Sequence, residues 1–355
     1  MNPSVARAAL SGADAVVVHI GGKAGRLGEA IIGTAFVEGT LRTLAATGRR
    51  HTPVTVIADT SIAELVPAAA YRARYWPEIA VVAATFGDVE RSGAASFASP
   101  SARSALVLDF HGEHDGPPAL DIATHANRRI TTLANLNRQA LRDYARYGQE
   151  QRYATFFRDL FLLPGGSLDG ANIQPRIDIT AADDARYPAL ARAFELDTEA
   201  LLIVCFFQSV VAAKVYERWE ETMALISAHV ARRFPGKQVN YFVACGPDTT
   251  QPVHQDDLAA ILGGFTGSAG NSRVIVAATP SLLDLAVISR HATLALSNDT
   301  GPGHLAGALG IPTITPFLPG TLYSQQVWAS SRWHRGVTVS PSPYTFEQLK
   351  AEVFA

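Results

Sequence analysis

The stretch that most constrains this chain runs from Ala292 to Phe317. An apolar run, Ala292 to Leu296, breaks at Asn298 and Asp299, passes through Thr300, Gly301, Pro302 and Gly303, and restarts as a small-residue helix from His304 to Leu309. That order describes a strand, a tight turn and a helix N-terminus. Gly310 stands where a helix-ending glycine belongs, Pro312 follows two residues later, and Thr313 to Phe317 reads as the next strand. Turn glycines let a ligand approach the backbone closely, and the first amides of a helix with its partial positive charge favour an anion, typically phosphate. Asp299 can accept hydrogen bonds from hydroxyls, and His304 can donate one to a phosphate oxygen. A polyhydroxylated group carrying phosphate fits that set. The simpler alternative is a structural turn capped by Asp299, although a cap calls for neither His304 nor two glycines around Pro302.

The rest of the chain surrounds this unit with more of the same. At 355 residues there is enough chain for two α/β domains. Strands are expected at Ala15 to Ile20, Val54 to Ala58, Ile79 to Thr85, Ala105 to Phe110, Leu201 to Phe207, Val239 to Ala244 and Val274 to Ala277. Helices are expected at Glu29 to Ala46, Ala181 to Phe194, Tyr216 to Arg233 and Ser281 to Arg290, with a long helical region from Thr131 to Phe161. Strands alternating with helices imply parallel sheets. Leu163 through Ile177 reads as a polar loop leading out of the first half.

Charge and composition exclude several classes. A net charge of -2 supplies no general attraction to nucleic acid. Cys205 and Cys245 each lie in an apolar run, so two buried reduced thiols are expected rather than a disulfide, implying a reducing cytoplasm. No run reaches the roughly 18 apolar residues needed to span a bilayer, so the expected protein is cytoplasmic, soluble or peripheral to the inner membrane. Four lysines (Lys23, Lys214, Lys237, Lys350) stand against 26 arginines, which reads as the coding bias of a GC-rich bacterium.

Asp299 through Pro312 resembles the signature of glycosyltransferase family nine, the lipopolysaccharide heptosyltransferases, in which a D-(S/T)-G-x-x-H-L-A-x-A-L-G-x-P segment holds the nucleotide-sugar donor. The resemblance implies a GT-B fold, two doubly wound Rossmann-like domains facing across a cleft. Residues 1–177 would bind the acceptor and 178–355 the donor, with a last helix over 345–354 packing back on the first domain. It also implies an inverting, metal-independent transfer of a sugar, a heptose on family likeness, from an ADP-linked donor to an acceptor hydroxyl.

Three further segments carry the likeness. After the first strand, glycines fall at 21, 22, 25 and 28, which fits neither the dinucleotide nor the P-loop spacing. The family's loop ends here in Gly-Asp, the Asp being its proposed general base; Gly28-Glu29 is similar, and a carboxylate is what an attacking hydroxyl requires. Read without the family, Glu29 is an acidic side chain answering a helix dipole. Ala35 replaces the family's usual proline. Val107 to Gly112 is similar to the D-L-Q-G run on the acceptor side, which makes Asp109 and His111 acceptor-binding candidates together with Lys23 and Arg26. Asp109, His111, Glu113, His114 and Asp115 also invite a metal reading, but their spacing matches no standard zinc or iron site. In the second half the family has a Ser or Thr and a Lys-x-Trp on the donor diphosphate; Ser209 and Lys214 match, and Tyr216 stands at the tryptophan. A lysine there would stabilise charge on the departing diphosphate, though a solvated helix lysine is the plain alternative.

The expected site is therefore Glu29 and Lys214 for catalysis, and Ser209, Lys214, Asp299, Thr300, Gly301, Pro302, Gly303 and His304 for the donor. Lys23, Arg26, Asp109 and His111 would take the acceptor. No cofactor and no metal are expected. Arg138, Arg142 and Arg146 recur every four residues, a solvated helix face or an anchor for an acidic acceptor or lipid headgroup. The acceptor is either a lipopolysaccharide core sugar or a small natural-product precursor. Two rivals stay open: a sugar-nucleotide epimerase or hydrolase on the same fold, which needs an acid–base pair that the sequence does not identify, and a relative that only binds sugar nucleotide.

Overall fold

The structure is a computed structural model that describes residues 2–338, except 22–26, 61, 67, 75, 77, 112–118, 126, 137–143, 145–147, 210–213, 247–253, 266–269, 280 and 318–333. The chain divides into two compact units, the first ending at Asp178 and the second beginning at Ile179.

The first unit is built on six strands: β1 Ala15–Gly21, β2 Val54–Ala58, β3 Ile79–Ala83, β4 Ser104–His111, β5 Ala119–His125 and β6 Arg128–Ala134. They lie in the order β3-β2-β1-β4-β6-β5. Every pair is parallel except β5 with β6. All seven residues of β1 are buried, as expected of a central parallel strand covered on both faces. On one face lies the helix Leu27–Ala46. It is apolar around most of its girth because it packs against both β1 and the helix Gly148–Phe161. Gly33 permits the close approach to β1, since a Cβ there would lie 2.7 Å from Ile20 Cβ. The rings of Phe36 and Phe110 stack with centroids 4.0 Å apart, and Phe156 meets Phe110 edge-on.

One expectation fails here. The long helical region does not reach back to Thr131: residues 131–134 belong to β6 in the β5–β6 hairpin, Leu136 is the first helical residue after it, and the helix Gly148–Phe161 follows. Ile130, Thr131 and Thr132 are β-branched and favour a pleated strand, β4 offers its edge to them, and Asn127 takes a positive φ of 62° in the connecting turn. Arg138, Arg142, Arg146 and the segment 345–354 lie outside the described residues.

The second unit carries β7 Leu201–Phe206, β8 Val239–Cys245, β9 Ser272–Ala278, β10 Leu294–Ser297, β11 Thr313–Phe317 and β12 His334–Thr338. They are all parallel, in the order β12-β11-β10-β7-β8-β9. Cys205 and Cys245 are free and buried, and burial pushes the Cys205 thiol well above its ordinary pKa. The expected helix 181–194 is in fact two, Ala181–Asp184 and Tyr187–Ala193. Pro188 lies in the first turn of the second, where its missing N–H leaves no helical bond unmade. The helix expected from Tyr216 begins at Trp219, whose ring stacks on Phe207 at 4.6 Å. The helix after the signature turn starts three residues earlier than expected, as Gly301–Ala308. It ends as its glycine implies: Gly310 has φ 84°, and the Ile311 N–H returns to the Ala306 carbonyl.

Candidate active site

Strand order locates the chemistry. Numbered from its own first strand, each sheet runs 3-2-1-4 across its middle, so the chain reverses direction of winding between β1 and β4 in the first unit and between β7 and β10 in the second. Ligands of open α/β sheets bind beyond the carboxyl ends of the strands at such a switch point. The loops after β7 and β10 contain Ser209, Lys214, Asp299 and Thr300; in the first unit Glu29 lies near the start of the helix that follows β1, and Asp109 and His111 lie at the end of β4.

In the second unit the structure brings two of the expected donor residues, Lys214 and Asp299, into contact. Lys214 Nζ lies 2.7 Å from Asp299 Oδ2, with the carboxylate almost wholly buried and the lysine partly open. An ammonium has three donors, so Lys214 can keep Asp299 and still give a hydrogen bond to a phosphate oxygen. Ser209 is buried three residues past the end of β7, next to Gln208, which accepts a hydrogen bond from the Gly246 N–H at 2.6 Å. Thr300 is the N-cap of the helix Gly301–Ala308, and Pro302 occupies its first turn. Of the expected amide donors, the Gly303 N–H is turned onto the Thr300 carbonyl at 3.2 Å. Gly303 suits this position for another reason: a Cβ there would meet Ser297 Oγ at 2.5 Å. His304 is buried in the same helix, only 3% exposed.

Two residues of this region were not anticipated. Asn298 is fully buried, and its Oδ1 accepts hydrogen bonds from the Tyr216 N–H at 3.0 Å and Trp219 Nε1–H at 3.1 Å. Trp219 thereby supplies the buried indole near the loop, while Tyr216 lends its backbone and packs edge-on against it. A polar residue at a strand end was the only available signal.

In the first unit Asp109 is half-buried and faces His19, its register partner on β1, with Oδ1 3.0 Å from Nδ1. His19 also escaped the sequence reading, because a histidine inside an apolar strand has no spacing to flag it. The pair bridges β1 and β4 at the switch point. His111 closes β4. Glu29 is the third residue of the helix Leu27–Ala46 and partly buried in its first turn, which suits either a proton acceptor or an answer to the helix dipole. Lys23 and Arg26 lie outside the described residues. Among the described residues no group of three His, Cys, Asp or Glu side chains could hold a metal ion, and no helix is long and apolar enough to cross a membrane.

Two doubly wound units make the GT-B fold, and the family match of the second supports a glycosyltransferase. Residues 172–343 match the model of glycosyltransferase family 9 (heptosyltransferase), and this stretch is a domain of that family. The chain is similar to the solved family 9 glycosyltransferase from Veillonella parvula at 15% identity, covering 96% of this chain and 90% of that one with a TM-score of 0.58. It is also similar to ADP-heptose lipopolysaccharide heptosyltransferase II from E. coli at 16% identity, over 91% and 90% of the two chains with a TM-score of 0.52. No curated protein matches the sequence.

Proposed function

We propose that this chain transfers a heptose from an ADP-linked donor to an acceptor hydroxyl with inversion and without a metal ion. The observation that carries the reading is the Lys214–Asp299 pair beside the start of the helix Gly301–Ala308: one cation and one hydroxyl acceptor, set where β7 and β10 part. The E. coli relative is named for ADP-heptose and lipopolysaccharide, which supports heptose and adenine on family likeness.

In this reading the acceptor oxygen attacks the anomeric carbon from the face opposite the diphosphate while Glu29 takes its proton. The bond from that carbon to the β-phosphate oxygen breaks, and ADP leaves with the electron pair. Lys214, Ser209, the helix start at Thr300 to Gly303 and His304 hold the diphosphate, and fixed donors aimed at developing charge lower the barrier without reorganising. Asp299 accepts from sugar hydroxyls. Lys23, Arg26, Asp109 and His111 serve the acceptor, either a lipopolysaccharide core sugar or a small polyol precursor.

Calorimetric titration with ADP in excess chelator tests the proposal. Binding is expected without divalent metal, weakened in Lys214→Met and in His304→Ala by roughly 1.5–3 kcal/mol each, the worth of a hydrogen bond to a charged group. Unchanged affinity in both variants would place the donor elsewhere, and a strict magnesium requirement would refute the metal-free transfer.

A further inference from the structure

We propose that Asn298 is a positioning residue for the diphosphate, acting through Lys214; the inference rests on the donor reading above. The Asn298 side chain binds three groups of the β7 loop and the helix that follows it. Oδ1 accepts from the Tyr216 N–H and from Trp219 Nε1–H, and Nδ2 donates to the Phe207 carbonyl at 2.5 Å. Its backbone N–H adds a bond to the Phe206 carbonyl at 2.9 Å. Phe206 and Phe207 precede Ser209, and Tyr216 and Trp219 follow Lys214, so one buried amide grips the loop on both sides of its functional residues. Asp299, the next residue along, holds the Lys214 ammonium itself.

The chemistry of the position explains the residue type. It must accept two N–H bonds with one oxygen and donate to a carbonyl with the other arm, which a primary amide does and a carboxylate or an aliphatic side chain does not. Aspartate would turn a negative oxygen toward the Phe207 carbonyl. The stacked rings of Phe207 and Trp219 stiffen the same loop, with an interplanar angle of 16°. A lysine side chain is long and rotamer-rich, and its value for a diphosphate depends on being held in place before the ligand arrives. Asn298 fixes the backbone from which Lys214 reaches, and Asp299 fixes the tip.

A double-mutant cycle between Asn298→Ala and Lys214→Met, read by ADP affinity in chelator, tests this. Asn298→Ala in the wild-type background is expected to weaken ADP on the order of tenfold, the equivalent of about 1.4 kcal/mol. In the Lys214→Met background the same change is expected to cost less than about twofold, because the group that it positions is gone. Equal losses in the two backgrounds would overturn the inference and leave Asn298 a structural residue only. Trp219→Phe keeps a smaller aromatic ring against Phe207 and removes the N–H, and repeats the test should Asn298→Ala fail to fold; it is expected to give a smaller loss, about threefold, that again vanishes with Lys214→Met. Full affinity in Lys214→Met alone would instead overturn the donor reading, a result separate from the coupling.

Discussion

Gly303→Ala places a methyl group where the structure has no room. The added Cβ would lie 2.5 Å from Ser297 Oγ and 2.9 Å from Ser297 Cβ, whereas ordinary contact begins at 3.4 Å. Ser297 cannot swing aside freely: it is fully buried, and its hydroxyl bonds the Asn298 carbonyl at 2.5 Å and lies 3.3 Å from Thr300 Oγ1. Relief requires either the helix start or the strand end to shift by several tenths of an ångström. Overpacking of this kind costs about 1–3 kcal/mol, and a displaced hydroxyl loses a further bond worth about 0.5–1.5 kcal/mol. Alanine's better helix propensity returns up to about 1 kcal/mol. The balance is about 2 kcal/mol, or roughly 4–8 °C in the melting of a unit of 150–250 residues. Differential scanning calorimetry measures it, and on the proposed function ADP titration should show weaker binding, because the displaced turn is the one assigned to the diphosphate. Ser297→Gly removes both clashing atoms, so the double variant should be more stable than the sum of the two single changes implies. Melting of Gly303→Ala within about 1 °C of wild type, or strict additivity with Ser297→Gly, would refute the steric argument.

Three other outcomes follow from single residues. Glu29→Gln should retain ADP binding while turnover falls by roughly 10²–10⁴, the span of general base catalysis; turnover within a few-fold of wild type removes Glu29 from the mechanism and turns attention to Asp109. Asp14 accepts the Ser104 and Arg103 N–H groups at 3.0 Å each, and the Ser104 bonds above all hold its carboxyl below the ordinary range. A lowered folded-state pKa stabilises above the unfolded value near 3.8 and loses that contribution as pH falls through the folded one, so the melting gap between wild type and Asp14→Asn should close in acid; a gap that persists to about pH 2 denies the linkage. Cys205, whose thiol burial pushes upward, should react with a thiol reagent at pH 8 only as fast as the second unit unfolds. Rapid labelling of the native protein would contradict its burial.

Much of the second unit could be read in advance because its signals were local. Asn298-Asp299 breaking an apolar run, glycines at 301 and 303, and Gly310 before Pro312 each act within a few residues, and the strand, turn and helix appear in the order those residues imply, with the helix starting three residues early. The signature also led to Ser209 and Lys214 through likeness rather than physics, and the ion pair with Asp299 became visible only in three dimensions. The failures share the opposite cause. The segment 131–134 became a strand because β4 presents an edge to it, and His19 found Asp109 through the register of two parallel strands 90 positions apart. Asn298 reaches Phe207 across 91 positions, a pairing that no window along the chain contains.

That distance gives the donor site a second use. β7 and β10 are neighbours in the sheet with β8 and β9 set off to one side, so the lysine and its carboxylate meet only through a contact far apart in sequence. A compact state that kept its helices but lost the crossover would retain every residue of the signature and still lack the Lys214–Asp299 pair. On the proposed reading a nucleoside diphosphate would report on topology: it would bind only the completed winding, and in excess it should hold the second unit against unfolding by mass action.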